Sequence, residues 1–247
     1  MQNNFALYFT HKIEYHKDVF FEETEAVNVH SNLNEIFRYL GMTEPIPEDL
    51  RQQVSELSLQ LSSKIKPRFI YKVFSLLHED TCIQIPDARI TLKSHLACKM
   101  LAECNQVVLL ACTLGTTFDS MLRSEQARNM SNAVILNACG NALVEQGCDC
   151  AEEEIKLRFP DHFLTDRFSP GYGDLSLELQ PLLCAALDSP RKLGIHVSDN
   201  FLMNPSKSVT ALIGLSDRPQ MARIRGCAYC AMRDICSIRK GGNRCGA

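Results

Sequence analysis

The sequence predicts an α+β fold. Stretches with helical periodicity and runs of β-branched and aliphatic residues both occur along the chain. They follow one another without the regular strand–helix alternation that a doubly wound parallel sheet requires. With 247 residues, 45% of them hydrophobic, the chain can bury a sizeable core without disulfide staples.

The elements follow in order. Residues 31–41, "SNLNEIFRYLG", predict a short helix. Ser31 is placed to cap it, Leu33, Ile36, Phe37 and Leu40 form one face, and Gly41 stops it. Residues 47–67 give the clearest amphipathic helix: Leu50, Val54, Leu57, Leu61 and Ile65 recur at helical spacing, acids occupy the first turn, and Pro67 closes it. "RFIYKVFSL" at 68–76 and "CIQI" at 82–85 predict strands. "SHLACKMLAECN" at 94–105 predicts a helix leading into "QVVLLACTLG", a continuous apolar run that reads as a buried strand entering a loop at a sheet edge. "TTFDSMLRSEQ" is helical. Residues 132–159 read as one long helix carrying Ala133, Ala138, Gly140 and Ala142. Glycine inside a helix costs about 1 kcal/mol against alanine, so a close neighbour is expected at Gly140. The helix "LSLELQPLLCAALD", the breaker pair Ser189–Pro190 and the strand "SVTALIG" complete the series. No internal repeat or low-complexity linker occurs.

Charge and hydropathy exclude several classes. A net charge of −3 provides no basic field for nucleic acid. No apolar run approaches the roughly 18 residues that span a bilayer. The first residues, "MQNNFALYFTHKIEYHKD", lack a basic segment before an apolar stretch, so a cytoplasmic location is expected. Eight of the twelve cysteines are scattered: Cys82, Cys98, Cys104, Cys112, Cys139, Cys148, Cys150 and Cys184. Several lie in apolar segments, as small core residues do, which suits a reducing compartment. The seven histidines form no ligand spacing, and the carboxylates of "AEEEIK" at 151–156 read as a solvated helix face.

Between the last two predicted helices lies "RFSPGYGD", residues 167–174. Arg167 offers a planar fork of donors suited to a carboxylate. Gly171 and Gly173 lack Cβ atoms and would let a ligand approach the backbone. Tyr172 could cover a flat ring. Asp174 could accept from an amine or a ribose hydroxyl, or favour a cation. The set suits a zwitterionic, aromatic small molecule, and the alternative is a structural turn. No phosphate-binding fingerprint is present.

The string R-x-x-x-G-Y at Arg167, Gly171 and Tyr172 resembles the S-adenosylmethionine-binding motif of the activation domain of cobalamin-dependent methionine synthase. "LGIHVSDNFLMNPSKSVTALIGL" resembles a second stretch of that family, with Gly194, Met203, Pro205, Ser208 and Val209 in the matching positions. Upstream, "LLACTLGTTFDSMLR" and "ILNACGNALVEQGCD" resemble it more weakly, so that the likeness covers roughly residues 30–215.

The resemblance implies a twisted, mainly antiparallel sheet with packed helices. It also implies S-adenosylmethionine as ligand and methyl donor, with Arg167 at the methionyl carboxylate. The backbone around Ser169, Pro170 and Gly171 would hold the adenosyl part, Tyr172 would flank it, and Glu145 would be the site's acidic residue. The protein would then be an accessory to reductive remethylation of cobalamin on a separate corrinoid protein, a methionine synthase without its own activation domain. A flavodoxin- or ferredoxin-like donor would supply the electron. Two positions depart from the pattern: Gly173 and Asp174 follow the tyrosine where the family has proline, and "SDRPQMARIRG" lacks the family's aromatic. No corrinoid-binding D-x-H-x-x-G string occurs, so cobalamin would come on the partner.

Residues 1–220 are therefore expected to form one activation-domain-like unit, with 1–30 as an N-terminal extension. Residues 221–247 form a basic tail in which Cys227, Cys230, Cys236 and Cys245 follow C-x2-C-x5-C-x8-C spacing. Four thiolates at such spacing suit zinc or an iron–sulfur cluster. Cys227 and Cys230 alone could form a redox dithiol or a disulfide, and a solvated tail of reduced cysteines is the further alternative. The rival function is that of an iron–sulfur or zinc protein that transfers electrons or docks a partner through this tail.

Overall fold

The computed structural model describes residues 21–23 and 32–220. A five-stranded antiparallel sheet lies at the centre, in the order β1 (Phe21–Glu23), β2 (Arg68–Ser75), β6 (Gln106–Thr113), β10 (Ser208–Ser216) and β7 (Phe163–Leu164). Three eight- or nine-residue strands form its middle. Arg68 pairs with Thr113 and Ser75 with Gln106; on the other side of β6, Ser208 pairs with Thr113 and Leu215 with Gln106. The β6 strand is apolar from Val107 to Cys112 because both of its faces are covered.

One face carries α1 (Leu33–Tyr39), α2 (Glu48–Lys64), α4 (Gly115–Arg128) and α5 (Met130–Arg158). Their core includes Phe37, Val54, Leu61, Tyr71, Leu110, Phe118, Leu143 and Ile213. The opposite face carries α3 (His95–Leu101), α6 (Gln180–Leu187), α7 (Ser189–Leu193) and a small sheet of β3 (Leu77–His78), β4 (Ile83–Ile85) and β5 (Ile90–Leu92). Its core includes Ile70, Phe74, Leu109, Phe168, Leu183 and Leu212. A two-stranded ribbon, β8 (His196–Val197) with β9 (Met203–Asn204), precedes β10.

The α5 helix sets the geometry that follows. Asn129 caps it by accepting from the amides of Ser131 and Asn132. Its 29 residues extend about 43 Å. The close neighbour expected at Gly140 is the Phe118 ring of α4, which occupies the place of a Cβ. Two turns further on, a Cβ at Gly147 would meet Pro67 at 2.5 Å and the Cys112 sulfur at 2.9 Å. These two glycines let α5 press onto α4 and onto β6.

Several boundaries differ from the sequence reading. Asn32, not Ser31, caps α1 through the amide of Asn34; Ser31 lies outside the described residues. The helix read over 94–105 stops at Leu101, and α4 starts one residue beyond Leu114, leaving almost no loop after β6. The stretch 175–188 opens with a 3-10 turn at Leu177–Leu179 before α6. Ser189–Pro190 separates two helices but also begins the second, since proline fits a first helical turn. The eight scattered cysteines are free thiols, six of them buried. Burial pushes the Cys139 thiol up to about 12 and the Cys104 thiol up to about 11, which keeps both protonated. Among the described residues, no helix is long and apolar enough to cross a membrane.

Candidate functional site

The chain leaving α5 runs along the outer edge of β10. Leu164 pairs with Leu215, the Thr165 amide donates to the Gly214 carbonyl at 3.0 Å, and Phe168 exchanges two backbone hydrogen bonds with Leu212. Side chains of an extended segment alternate between the two faces of a sheet. Phe168 therefore enters the core on the α6 face, where it is 1% exposed, and Arg167 turns towards α5.

Arg167 is buried among carboxylates. Its Nη2 lies 2.7 Å from Glu145, and its Nη1 lies 3.1 Å from Asp149 and 2.5 Å from Glu152. The three acids stand at positions i, i+4 and i+7 of α5, one stripe of the helix. Burial disfavours the guanidinium charge, but the groups around it, Cys148 and the Glu152, Glu145 and Asp149 carboxylates, outweigh burial, so the pKa stands above its ordinary value. At this point one guanidinium meets three carboxylates. Glu145 and Asp149 keep 42% and 63% of their side chains in solvent, so free carboxylate oxygens face outward. Two residues assigned to one site by resemblance, Arg167 and Glu145, are thus in direct contact across 22 positions of sequence.

The donors of Arg167 go to carboxylates of its own chain, and one expectation is corrected. "AEEEIK" is not a uniformly solvated face: Glu152 joins the Arg167 cluster, Glu154 is buried, and only Glu153 of the three is exposed.

The turn after Phe168 is tightly built. The Gly171 amide donates to the Leu175 carbonyl at 2.7 Å and the Tyr172 amide to the Ser169 carbonyl at 3.1 Å. Gly171 and Gly173 have φ of +88° and +57°, which favour glycine. The room left by their missing Cβ atoms is taken by leucines. A Cβ at Gly171 would meet Leu177 at 2.9 Å, and one at Gly173 would meet Leu96 at 2.5 Å. Pro170 is buried, Ser169 and Tyr172 are half-buried, and the Tyr172 ring stands edge-on to Phe168 at 6.0 Å. Asp174 also departs from the expectation. Its two oxygens accept from the Ser94 hydroxyl at 2.5 Å, the His95 amide at 2.6 Å and the Leu96 amide at 3.3 Å, tying the turn to the start of α3.

The second string ends beside the first. Gly194 terminates α7 at φ +70°, Met203 lies in β9, Pro205 is buried, and Ser208 and Val209 open β10 opposite Thr113 and Cys112. Between them, Ser206 donates to Asp119 of α4 through its amide and its hydroxyl, at 3.0 and 2.5 Å. Lys207 Nζ donates to Asn141 Oδ1 at 2.6 Å. Asn141 lies one helical turn before Glu145, so both strings converge on the same stripe of α5. Lys207 was not singled out by sequence; only the shared spacing of Asn141, Glu145 and Asp149 on one long helix could have pointed to it. The four tail cysteines, Cys227, Cys230, Cys236 and Cys245, lie outside the described residues.

The fold is similar to that in a crystal structure of the MetH reactivation domain bound to AdoHcy, with a TM-score of 0.62 and 15% sequence identity over 91% of this chain and 86% of that one. The α+β, mainly antiparallel architecture expected from the activation-domain resemblance is therefore the one the chain adopts. No family model and no curated protein sequence matches the chain.

Proposed function

We propose that the chain binds S-adenosylmethionine along the outer edge of β10. There it would support reductive remethylation of cobalamin on a separate corrinoid protein, a methionine synthase without its own activation domain. The observation that carries this reading is the Arg167–Glu145 contact at 2.7 Å, beside the Ser169–Tyr172 turn, on this fold. AdoHcy, the ligand in the similar crystal structure, is S-adenosylmethionine after its methyl group has left. The charge balance agrees: S-adenosylmethionine carries a sulfonium and an ammonium against one carboxylate, and the α5 stripe has negative charge in excess. Ser169, Pro170, Gly171 and Tyr172 flank the adenosyl part in this reading, and Arg167 holds the acids in register. The bound ligand supplies the methyl group, and a flavodoxin- or ferredoxin-like donor supplies the electron.

Calorimetric titration with S-adenosylmethionine tests the first half, with saturable binding below millimolar ligand expected. No heat of binding at millimolar ligand ends the reading. The second half is tested by mixing the protein with a corrinoid protein in the Co(II) state, a reduced donor and S-adenosylmethionine. Return of the methylcobalamin spectrum only when the chain is present is the expected result.

The tail cysteines support the rival reading of a zinc or iron–sulfur protein through their spacing alone. Metal analysis and a visible spectrum of anaerobically prepared protein test it. Metal-free, colourless protein would remove it.

A further inference from the structure

We infer that Cys82 and Cys98 are a dithiol site that closes to a disulfide by exchange with a small-molecule disulfide, fastening α3 to β4. Cys82 directly precedes β4, Cys98 lies in α3, and both line one open cavity of about 490 Å³ on the face of the sheet opposite α5. Glu79, Asp80, Lys93 and His95 share its walls. Cys104, Cys112, Cys139 and Cys148, by contrast, are fully enclosed and out of reach of a small molecule.

The Cys98 sulfur donates to the Leu92 carbonyl at 3.6 Å. Leu92 pairs with Ile83, the residue next to Cys82. Burial and the Asp174 charge raise the Cys98 pKa, and hydrogen bonds from the Ile83 amide and its own amide offset part of the rise. The Cys98 sulfur is therefore seated on the Ile83–Leu92 pair. Consecutive Cα atoms are about 3.8 Å apart, which brings a sulfur seated there within bonding reach of Cys82. The Cys82 thiol donates to Glu79 Oε2 at 3.0 Å, and this hydrogen bond raises its pKa. Both thiols rest protonated, and Glu79 stands ready to take the Cys82 proton.

The exchange has two steps. The Cys98 thiolate attacks one sulfur of the small molecule; a mixed disulfide forms, and the departing thiolate takes up the proton that Cys98 lost. Cys82 then gives its proton to Glu79 and attacks the Cys98 sulfur. The protein disulfide forms, and the second small thiolate leaves and takes that proton. Two cysteine thiols are oxidised, and one disulfide is reduced to two thiols. The first turn of α3 supplies the Ser94 hydroxyl and the His95 and Leu96 amides that hold Asp174. The bond would thus stiffen the element to which the Ser169–Asp174 turn is tied.

The test incubates the full chain with oxidised glutathione at mildly alkaline pH, where thiolates form faster, and digests it with trypsin without reductant. Cys82 and Cys98 fall in separate tryptic peptides, 73–89 and 94–99, neither with a second cysteine. The expected product is a cross-link between these two peptides that disappears on reduction. The two cysteines are 16 positions apart, and closing a loop of that length should raise the melting temperature by at least about 3 °C. Cys98→Ser, treated identically, should show neither the cross-link nor the rise, and Cys82→Ser should keep glutathione on Cys98. Recovery of the two peptides from the treated, folded parent as free thiols or as separate glutathione adducts overturns the inference. So does a cross-link to other cysteines in its place. A cross-linked chain that melts no higher overturns the fastening of α3.

Discussion

Arg167 shows what one side chain can do at the edge of a sheet. It fastens the loop to α5 and holds three carboxylates that would otherwise repel one another. Arg167→Ala should therefore lower stability by about 2 kcal/mol. That is less than the 3–5 kcal/mol of a fully buried broken pair, because Glu145 and Asp149 stay solvated. With the acids released, S-adenosylmethionine should bind at least about tenfold more weakly. Arg158→Ala, at the end of the same helix, should change binding little. Lysine at 167 should rescue poorly, since a single ammonium cannot reproduce the planar fork. Titrations and melts of the three variants decide, and equal binding losses at 167 and 158 would reduce Arg167 to part of the general field. Asp174 gives a second prediction at this scale. Burial works against its charge, but the Ser94 hydroxyl and the Leu96 and His95 amides outweigh burial and hold its pKa below the usual value. A carboxyl whose folded pKa is lowered stabilises above its unfolded pKa of about 4, and the effect fades as pH falls through the folded value. Asp174→Asn should lose only about 1 kcal/mol at pH 7, because the group is largely exposed and screened. The gap to the parent should close in melts below about pH 4; a gap that persists in acid would exclude the charge as its source.

Among the elements, α5 is governed by its small residues. Replacing Gly147 with alanine would gain about 1 kcal/mol of helix propensity in an isolated helix. Here the new Cβ would meet Pro67 at 2.5 Å and Cys112 at 2.9 Å, on a buried contact with the central strand. Overpacking of that kind costs about 1–3 kcal/mol, so packing decides the sign and Gly147→Ala should melt lower than the parent. A higher melting temperature would mean that α5 can lift off β6 without cost. The same elements show what a sequence can reveal. The α2 and α5 helices and the β2, β6 and β10 strands were legible because burial imposes its period on many successive residues. The β7, β8 and β9 strands have two residues each. No period can be read from two residues, and these strands exist only because β7 pairs with β10 and β8 with β9. The site divided in the same way. Arg167 and Glu145 could be placed by resemblance, but Asp149, Glu152 and Lys207 join them only through the rotation of a 29-residue helix and the start of a distant strand. Asp174 looked like a ligand group because its true partners, Ser94, His95 and Leu96, lie about 80 residues earlier.

On the scale of the whole molecule, the charge is unevenly divided. Six of the 26 basic residues, but one of the 29 acidic residues, fall within 221–247, so that segment carries +5 and the rest of the chain −8. Both cores are built from residues between Ile36 and Leu215, and β10, the last strand described, ends at Ser216. The elements that position Arg167, Glu145 and Lys207 all lie within that span. The two functional readings therefore make different demands on the chain: ligand binding needs the sheet and α5, while metal binding needs Cys227, Cys230, Cys236 and Cys245. A chain truncated after Gln220 separates them. It should melt within about 2 °C of the full chain, which for a protein of this size corresponds to at most about 1 kcal/mol, and its affinity for S-adenosylmethionine should be retained at moderate salt. Any bound metal and any visible absorbance should disappear with the tail. Melting, calorimetry and metal analysis on the two chains read these outcomes directly. A truncated chain that melts 5 °C lower would show the tail to be part of the folded unit, and one that keeps its metal would move the metal site into the body.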